Sequence, residues 1–235
     1  MNPKAHDFSV LEGKIDFEFK DENLLLEALT HRSYLNENPG WRVPHNERLE
    51  YLGDAVLELA ITERLFKKYP ERPEGDLTSF RAALVNFQML SRVGREIGLD
   101  EYVFLSRGES KEEGRARETI IADAIEALIG AIYLDQGYEV ARSFSDRFIL
   151  SHLDEVISQK LYRDPKSALQ ELAQEKLKVT PTYQVLEESG PDHKKEFQVG
   201  VFFGDKLAAE GSGSSKQEAE SNAAGEALNR MESEA

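Results

Sequence analysis

The sequence predicts an α+β chain of two domains, an all-helical domain over residues 1–158 followed by an α-β-β-β-α domain over residues 159–235. Three observations carry this. Hydrophobic periodicity of the helical kind runs through the first two thirds, it stops between Ser158 and Asp164, and beyond it Phe197, Val199, Val201 and Phe203 alternate as one face of a sheet does. A chain of 235 residues is long enough for one medium and one small core.

In the first domain the periodic stretches predict helices at Glu47 to Lys68, Leu77 to Ile97, Thr119 to Leu134 and Tyr138 to Glu155. Punctuation separates them. Pro39-Gly40 precedes the first, Tyr69 to Gly75 carries two prolines and a glycine, and Gly108 to Arg117 reads as a charged, solvated loop. Trp41 falls in a loop and is expected on its surface. The second domain opens at Asp164-Pro165, an N-cap followed by proline at the first helical position. A helix to Lys178 follows, then strands at Tyr183 to Glu187, Phe197 to Phe203 and Lys206 to Glu210, a turn at Gly211 to Ser215, and a helix from Lys216 to Met231. Ala219, Ala223, Ala227 and Met231 recur every fourth residue, a small-residue face able to lie close on the sheet.

Composition narrows the function classes. No uninterrupted apolar run approaches the roughly 20 residues that span a bilayer, so no membrane role is expected. The first residues lack a basic-then-apolar leader pattern, and the absence of cysteine removes disulfides and thiolate metal sites; a cytoplasmic address is the expectation. The net charge of −15 is spread over both parts, with 19 basic against 30 acidic residues in 1–158 and 10 against 14 in 159–235. Binding to a polyanion must therefore rest on local clusters of donors and on cations that mask carboxylates.

Carboxylates supply the chemistry. Glu47, Glu50 and Asp54 stand at i, i+3 and i+7 along a helix whose other positions, Leu49, Leu52, Val56 and Leu57, want burial. In Ile120 to Leu134 only two charges interrupt fifteen residues, and these two, Asp123 and Glu126, are i, i+3 neighbours. No lysine or arginine lies three or four positions from either one. Arg48 is about 100° around the helix from its neighbour and points elsewhere. Spacing alone leaves two readings open, solvated acidic faces and a metal site. Carboxylate oxygens without thiols favour Mg²⁺ or Mn²⁺ over zinc or copper. A di-iron bundle would want Glu-x-x-His, whereas Gly53 and Ile129 occupy the positions three after Glu50 and Glu126. A cation in such a cluster suits phosphodiester hydrolysis.

The run Asn46-Glu47-Arg48-Leu49-Glu50-Tyr51-Leu52-Gly53-Asp54-Ala55 closely resembles the signature of the ribonuclease III family. Leu29 to Tyr34 and Ala122 to Gly130 resemble further stretches of the family in the same order, and residues 163–233 resemble its double-stranded RNA-binding domain. The resemblance implies that Glu50, Asp54, Asp123 and Glu126 are the metal-binding carboxylates, with Asp54 and Glu126 foremost in catalysis, and that Glu47 and Glu74 are accessory acidic residues. It implies an Mg²⁺-dependent endoribonuclease acting on double-stranded RNA, in ribosomal precursors and structured messages. Products would carry 5′-phosphate and 3′-hydroxyl ends with a 3′ overhang, made by a homodimer in which each subunit cuts one strand. Tyr51, where the family usually has phenylalanine, would lie in the dimer interface.

In the second domain the resemblance places Gln170, Glu171 and Gln174 against the RNA minor groove, with His193, Lys194 and Lys195 between the first two strands and Ser215 and Lys216 at the last helix. A-form RNA hides its base edges, so such contacts address phosphates and 2′-hydroxyls. Ser215-Lys216-Gln217-Glu218 also fits a capping box. Gln217 departs from a position that is often basic, which lowers the expected affinity. His31 is read as a structural hydrogen-bonding residue. Two other readings compete: a nuclease-inactive RNA-binding protein, disfavoured by six retained acidic positions, and a small-molecule phosphohydrolase, which leaves the second domain without a role.

Overall fold

The computed structural model describes residues 7–111, 113–191 and 195–233, and the chain forms two compact units, Met1–Tyr162 and Arg163–Ala235. The first unit is all-helical. Its helices are α1 (Ser9–Ile15), α2 (Glu22–Ala28), α3 (Arg32–Glu37), α4 (Glu47–Lys68), α5 (Glu74–Val85), α6 (Phe87–Glu96), α7 (Arg115–Gln136), α8 (Tyr138–Phe148) and α9 (Leu153–Ser158). Short 3₁₀ turns join some of them.

The innermost helix is α7. It buries Ile120, Ile121, Ala122, Ala124, Ile125 and a continuous run from Ala127 to Ile132, which is why its sequence reads as apolar on every side. Against it lies α4, through Leu49, Val56, Leu57, Ala60, Ile61 and Leu65. The crossing is close. A Cβ on Gly53 would stand 1.7 Å from the Glu126 carbonyl oxygen, and one on Gly130 would stand 2.3 Å from the Leu49 carbonyl oxygen. Glycine at both positions lets the two backbones touch, and everything at the site depends on that approach.

Several elements differ from the sequence expectation. The stretch Leu77 to Ile97 is two helices, broken at Asn86, whose backbone is extended and whose side chain accepts the Met89 N–H at 2.9 Å. An internal N-cap outweighs periodicity there. The stretch from Tyr138 likewise breaks after Phe148, and a 3₁₀ turn leads to α9. The charged loop is shorter than expected, since a 3₁₀ turn occupies Glu109–Lys111 and α7 starts at Arg115. Trp41 is not a loose surface ring. It packs on Tyr34 and Phe104 and donates its indole N–H to the Thr30 hydroxyl at 3.0 Å.

The second unit has the expected order: α10 (Pro165–Lys176), β1 (Pro181–Ser189), β2 (Glu196–Phe203), β3 (Lys206–Gly213) and α11 (Lys216–Ser233). Asp164 caps α10 by accepting the Ser167 N–H at 2.9 Å. The sheet is antiparallel in the order β1-β2-β3, with Val185 opposite Val199 and Val201 opposite Ala209. Val199 and Val201 are fully buried, as are Ala219 and Ala223 of α11. The expected turn at Gly211 is instead strand. Gly211 pairs with Val199, and its missing side chain leaves room for the α11 backbone at Ala223.

Candidate nuclease site and RNA-binding surface

The chain before α4 sets where that helix begins. Asn46 is buried, its N–H goes to the Thr30 carbonyl at 2.9 Å, and its amide reaches the Ala28 carbonyl at 3.3 Å. The start of α4 is thereby tied to the end of α2. His31 caps α3 through its ring nitrogen, which accepts the Ser33 N–H, the structural role expected of it. With α4 anchored at one end and pressed onto α7 at Gly53, the carboxylates of two helices converge.

Glu50, Asp123 and Glu126 each bring an oxygen within 4.8 Å of the other two. All three are half-buried. Asp54, one turn beyond Glu50, is more exposed and falls outside that trio, yet its charge acts on both Glu50 and Glu126. None of the four enters an ion pair or accepts a hydrogen bond among the described residues. Arg48 does not neutralise them and instead acts on Glu27.

The electrostatic consequence is plain. Burial first, and then the like charges of Asp54, Asp123, Glu50 and Glu58, push the Glu126 carboxyl up to about 8. Burial, followed by Asp123, Glu47 and Asp54, pushes Glu50 up to about 7. Asp123 and Asp54 also rise, mainly through burial. Half-buried carboxylates this close must hold protons or a cation to be tolerated. Their hard oxygen donors, free of competing ammonium or guanidinium groups, fit a small divalent cation.

Of the two residues expected to be accessory acids, Glu47 lies beside this cluster, held at 3.1 Å by Arg32 and 3.8 Å from His45, and its charge acts on Asp123 and Glu50. Glu74 opens α5, where it accepts the Thr78 hydroxyl at 2.8 Å, and is not among the carboxylates that act on the trio. Tyr51 projects from α4 with 84% of its surface exposed. Two residues that permit the close approach of α4 and α7, Gly53 and Gly130, escaped the sequence reading as positioning elements. The signal was present, since each glycine interrupts an otherwise good helix former.

On the second unit Gln170, Glu171 and Gln174 line one surface depression with Glu175 and Lys178, all exposed. Lys195 pairs with Glu188 at 2.7 Å. Ser215 accepts the Glu218 N–H at 3.2 Å, and the Glu218 carboxylate answers to the N–H of Ser214, so the capping box is shifted by one residue on its return side. Lys216 extends over the Phe197 ring, 5.6 Å from its centre. His193 and Lys194 lie outside the described residues.

Comparison with known proteins finds matches in both units. Residues 21–153 match the family model described as ribonuclease-III-like, and residues 165–231 match the double-stranded RNA binding motif. A curated relative named Ribonuclease 3 from Desulforamulus reducens is 46% identical over 232 residues, covering 99% of this chain and 94% of that protein. One of the same name from Myxococcus xanthus is 42% identical over 235 residues, covering 100% and 90%. Among solved structures, the nuclease domain of ribonuclease III from Campylobacter jejuni aligns with a TM-score of 0.56 at 41% identity, over 62% of this chain and 97% of that one.

Proposed function

This chain belongs to the ribonuclease III family and is a double-stranded RNA-specific endoribonuclease, and we propose from that premise that Glu50, Asp54, Asp123 and Glu126 hold Mg²⁺ for phosphodiester hydrolysis. Mn²⁺ is the natural substitute. The observation that supports this is the convergence of Glu50, Asp123 and Glu126 without a positive partner, with Asp54 close enough for its charge to act on Glu50 and Glu126, and the strongly raised proton affinity of those two. When bound, the cation supplies an activated water and a charge that stabilises the leaving oxygen. The protein's own work is to keep Glu50 and Glu126 at fixed separation across the α4–α7 contact, with Asp54 and Glu126 nearest the reaction. Water oxygen bonds to phosphorus, the bond to the 3′-oxygen breaks, and that oxygen takes a proton, leaving a 3′-hydroxyl and a 5′-phosphate.

Glu47, fixed by Arg32, and Glu74 serve as accessory acids at the cleaved strand. The exposed Tyr51 side chain is covered by a second copy of the chain, whose own site cuts the other strand and leaves a 3′ overhang. The Campylobacter jejuni nuclease domain has a region involved in dimer formation, and that likeness supports the same assembly here. Gln170, Glu171, Gln174, His193, Lys194, Lys195, Ser215 and Lys216 bind the duplex. The natural substrates are structured transcripts and ribosomal RNA precursors, met in the cytoplasm. No helix among the described residues is long and apolar enough to cross a membrane.

The test is cleavage of an end-labelled RNA duplex in Mg²⁺ beside Glu126→Gln and a chelator control, with the product ends identified. Staggered 5′-phosphate products lost in both controls are expected. Duplex binding without cleavage in either Mg²⁺ or Mn²⁺ would make the chain a binding module.

A further inference from the structure

The sheet corner that carries the RNA-facing lysines also carries a carboxylate that the duplex-binding role does not use. Glu188 and Phe197 are cross-strand partners near the end of the β1-β2 pair where the connecting loop joins the two strands. Lys195, two residues before Phe197, places its ammonium 2.7 Å from the Glu188 carboxylate. Lys216 enters from the start of α11 and lies over the Phe197 ring. Its charge also acts on Glu188, which the two lysines together hold below the usual carboxylate range, Lys195 foremost. One carboxylate is thus paired with one ammonium group and within the field of a second, at the place where phosphates are expected.

We propose that Glu188 is an internal competitor for RNA phosphate, occupying Lys195 and offsetting Lys216 so that the duplex affinity of this unit is held down. The inference rests on the duplex-binding role assigned to those lysines. Phosphate and carboxylate are both anions that accept from an ammonium group, so a strand approaching this corner must displace or share the Glu188 contact. The pair is exposed, with side chains 37% and 40% accessible, so exchange is fast and the net cost modest. Such a brake suits an enzyme that must release cut duplex, since tight product binding limits turnover.

A neighbouring residue supplies the control. Glu187 lies beside Glu188 on β1, carries the same charge, and has no ion partner among the described residues. The experiment measures binding of a short RNA duplex to the full-length chain in EDTA, across a salt titration, for the unaltered protein, Glu188→Gln and Glu187→Gln. Glu188→Gln is expected to bind about three- to fivefold tighter at low salt, the range for an exposed pair, and to steepen the salt dependence by up to about one unit of slope. Glu187→Gln should do appreciably less. Equal effects from both variants would reduce the result to net charge and overturn the inference. So would weaker binding by Glu188→Gln, which would mean that the carboxylate positions Lys195 for phosphate. Failure of the unaltered chain to bind any duplex would instead overturn the binding assignment itself. Melting of the three proteins should coincide, since the pair is on the surface.

Discussion

Burial, and then the like charges around it, push the Glu126 carboxyl up to about 8, and under the proposed function this residue links stability to cleavage. Its folded-state proton affinity is above that of an unfolded glutamate, so the folded state binds more protons and the stability this provides is full only at acid pH. It is lost as pH rises through about 7 for Glu50 and about 8 for Glu126. In chelator, the melting temperature is therefore expected to fall between pH 6 and pH 9, and Glu126→Gln should flatten that fall while abolishing cleavage. A variant that loses activity yet melts higher at pH 9 is the signature of a site assembled against its own electrostatics. Added Mg²⁺ must displace the same protons, so its apparent affinity, followed by the melting shift it produces, should increase from pH 6 to pH 8. At this scale the sequence was informative about which carboxylates come together, Glu50 with Asp123 and Glu126, because a charge within an apolar helix is visible in a single chain. It could not show that Asp54 is more exposed than the other three, nor that Arg32 takes Glu47, since both depend on the angle at which helices meet and on the loop before α4.

The pair α4 and α7 is the working element, and its closeness is set by two glycines. A Cβ at Gly53 would lie 1.7 Å from a backbone oxygen of Glu126, and no rotamer change relieves that contact. Gly53→Ala is expected to cost about 1–3 kcal/mol as an overpacked interface, and to reduce cleavage more than duplex binding, because pushing the helices apart separates Glu50 from Glu126. Gly13 in α1 is the contrasting case, with nothing within 4 Å of its Cβ position. Gly13→Ala should stabilise by roughly 0.4–1 kcal/mol through loss of unfolded-state freedom. Thermal melting and cleavage assays on the two variants separate the packing role from ordinary helix propensity. Both ends of α4 were readable, at Glu47 and Lys68, since the helix runs between clear punctuation. The break inside Leu77 to Ile97 was not. Phe80, Ala83, Leu84, Leu90 and Val93 are all buried, so the apolar pattern continues past the turn, and the only local mark is an asparagine that the flanking helical pattern hides.

For the molecule as a whole, the decisive physical question is where the nuclease unit ends. The hydrophobic pattern stops near Ser158, yet the four residues beyond it are structurally committed to the first unit. Lys160 adopts the left-handed conformation, φ 55°, while the Leu161 N–H reaches back to the Val156 carbonyl at 2.9 Å and the Lys160 N–H to Ile157 at 3.2 Å. Together these close α9 with the reverse turn that commonly ends a helix, formed here without the glycine that would have advertised it in the sequence. Tyr162 then packs edge-on against the buried Phe80 ring, centroids 4.7 Å apart. An aromatic pair of this kind contributes about 0.5–1.5 kcal/mol beyond the area it buries. A fragment ending at Ser158 loses the helix cap and the ring contact together, whereas one ending at Tyr162 keeps both. The longer fragment is therefore expected to be more stable by about 1–3 kcal/mol, the sum of a lost aromatic pair and a frayed helix end. Chemical denaturation of the two fragments under identical conditions measures the difference. Equal midpoints would mean that Tyr162 contributes nothing to the nuclease core and would move the boundary back to the residue where the hydrophobic periodicity ends.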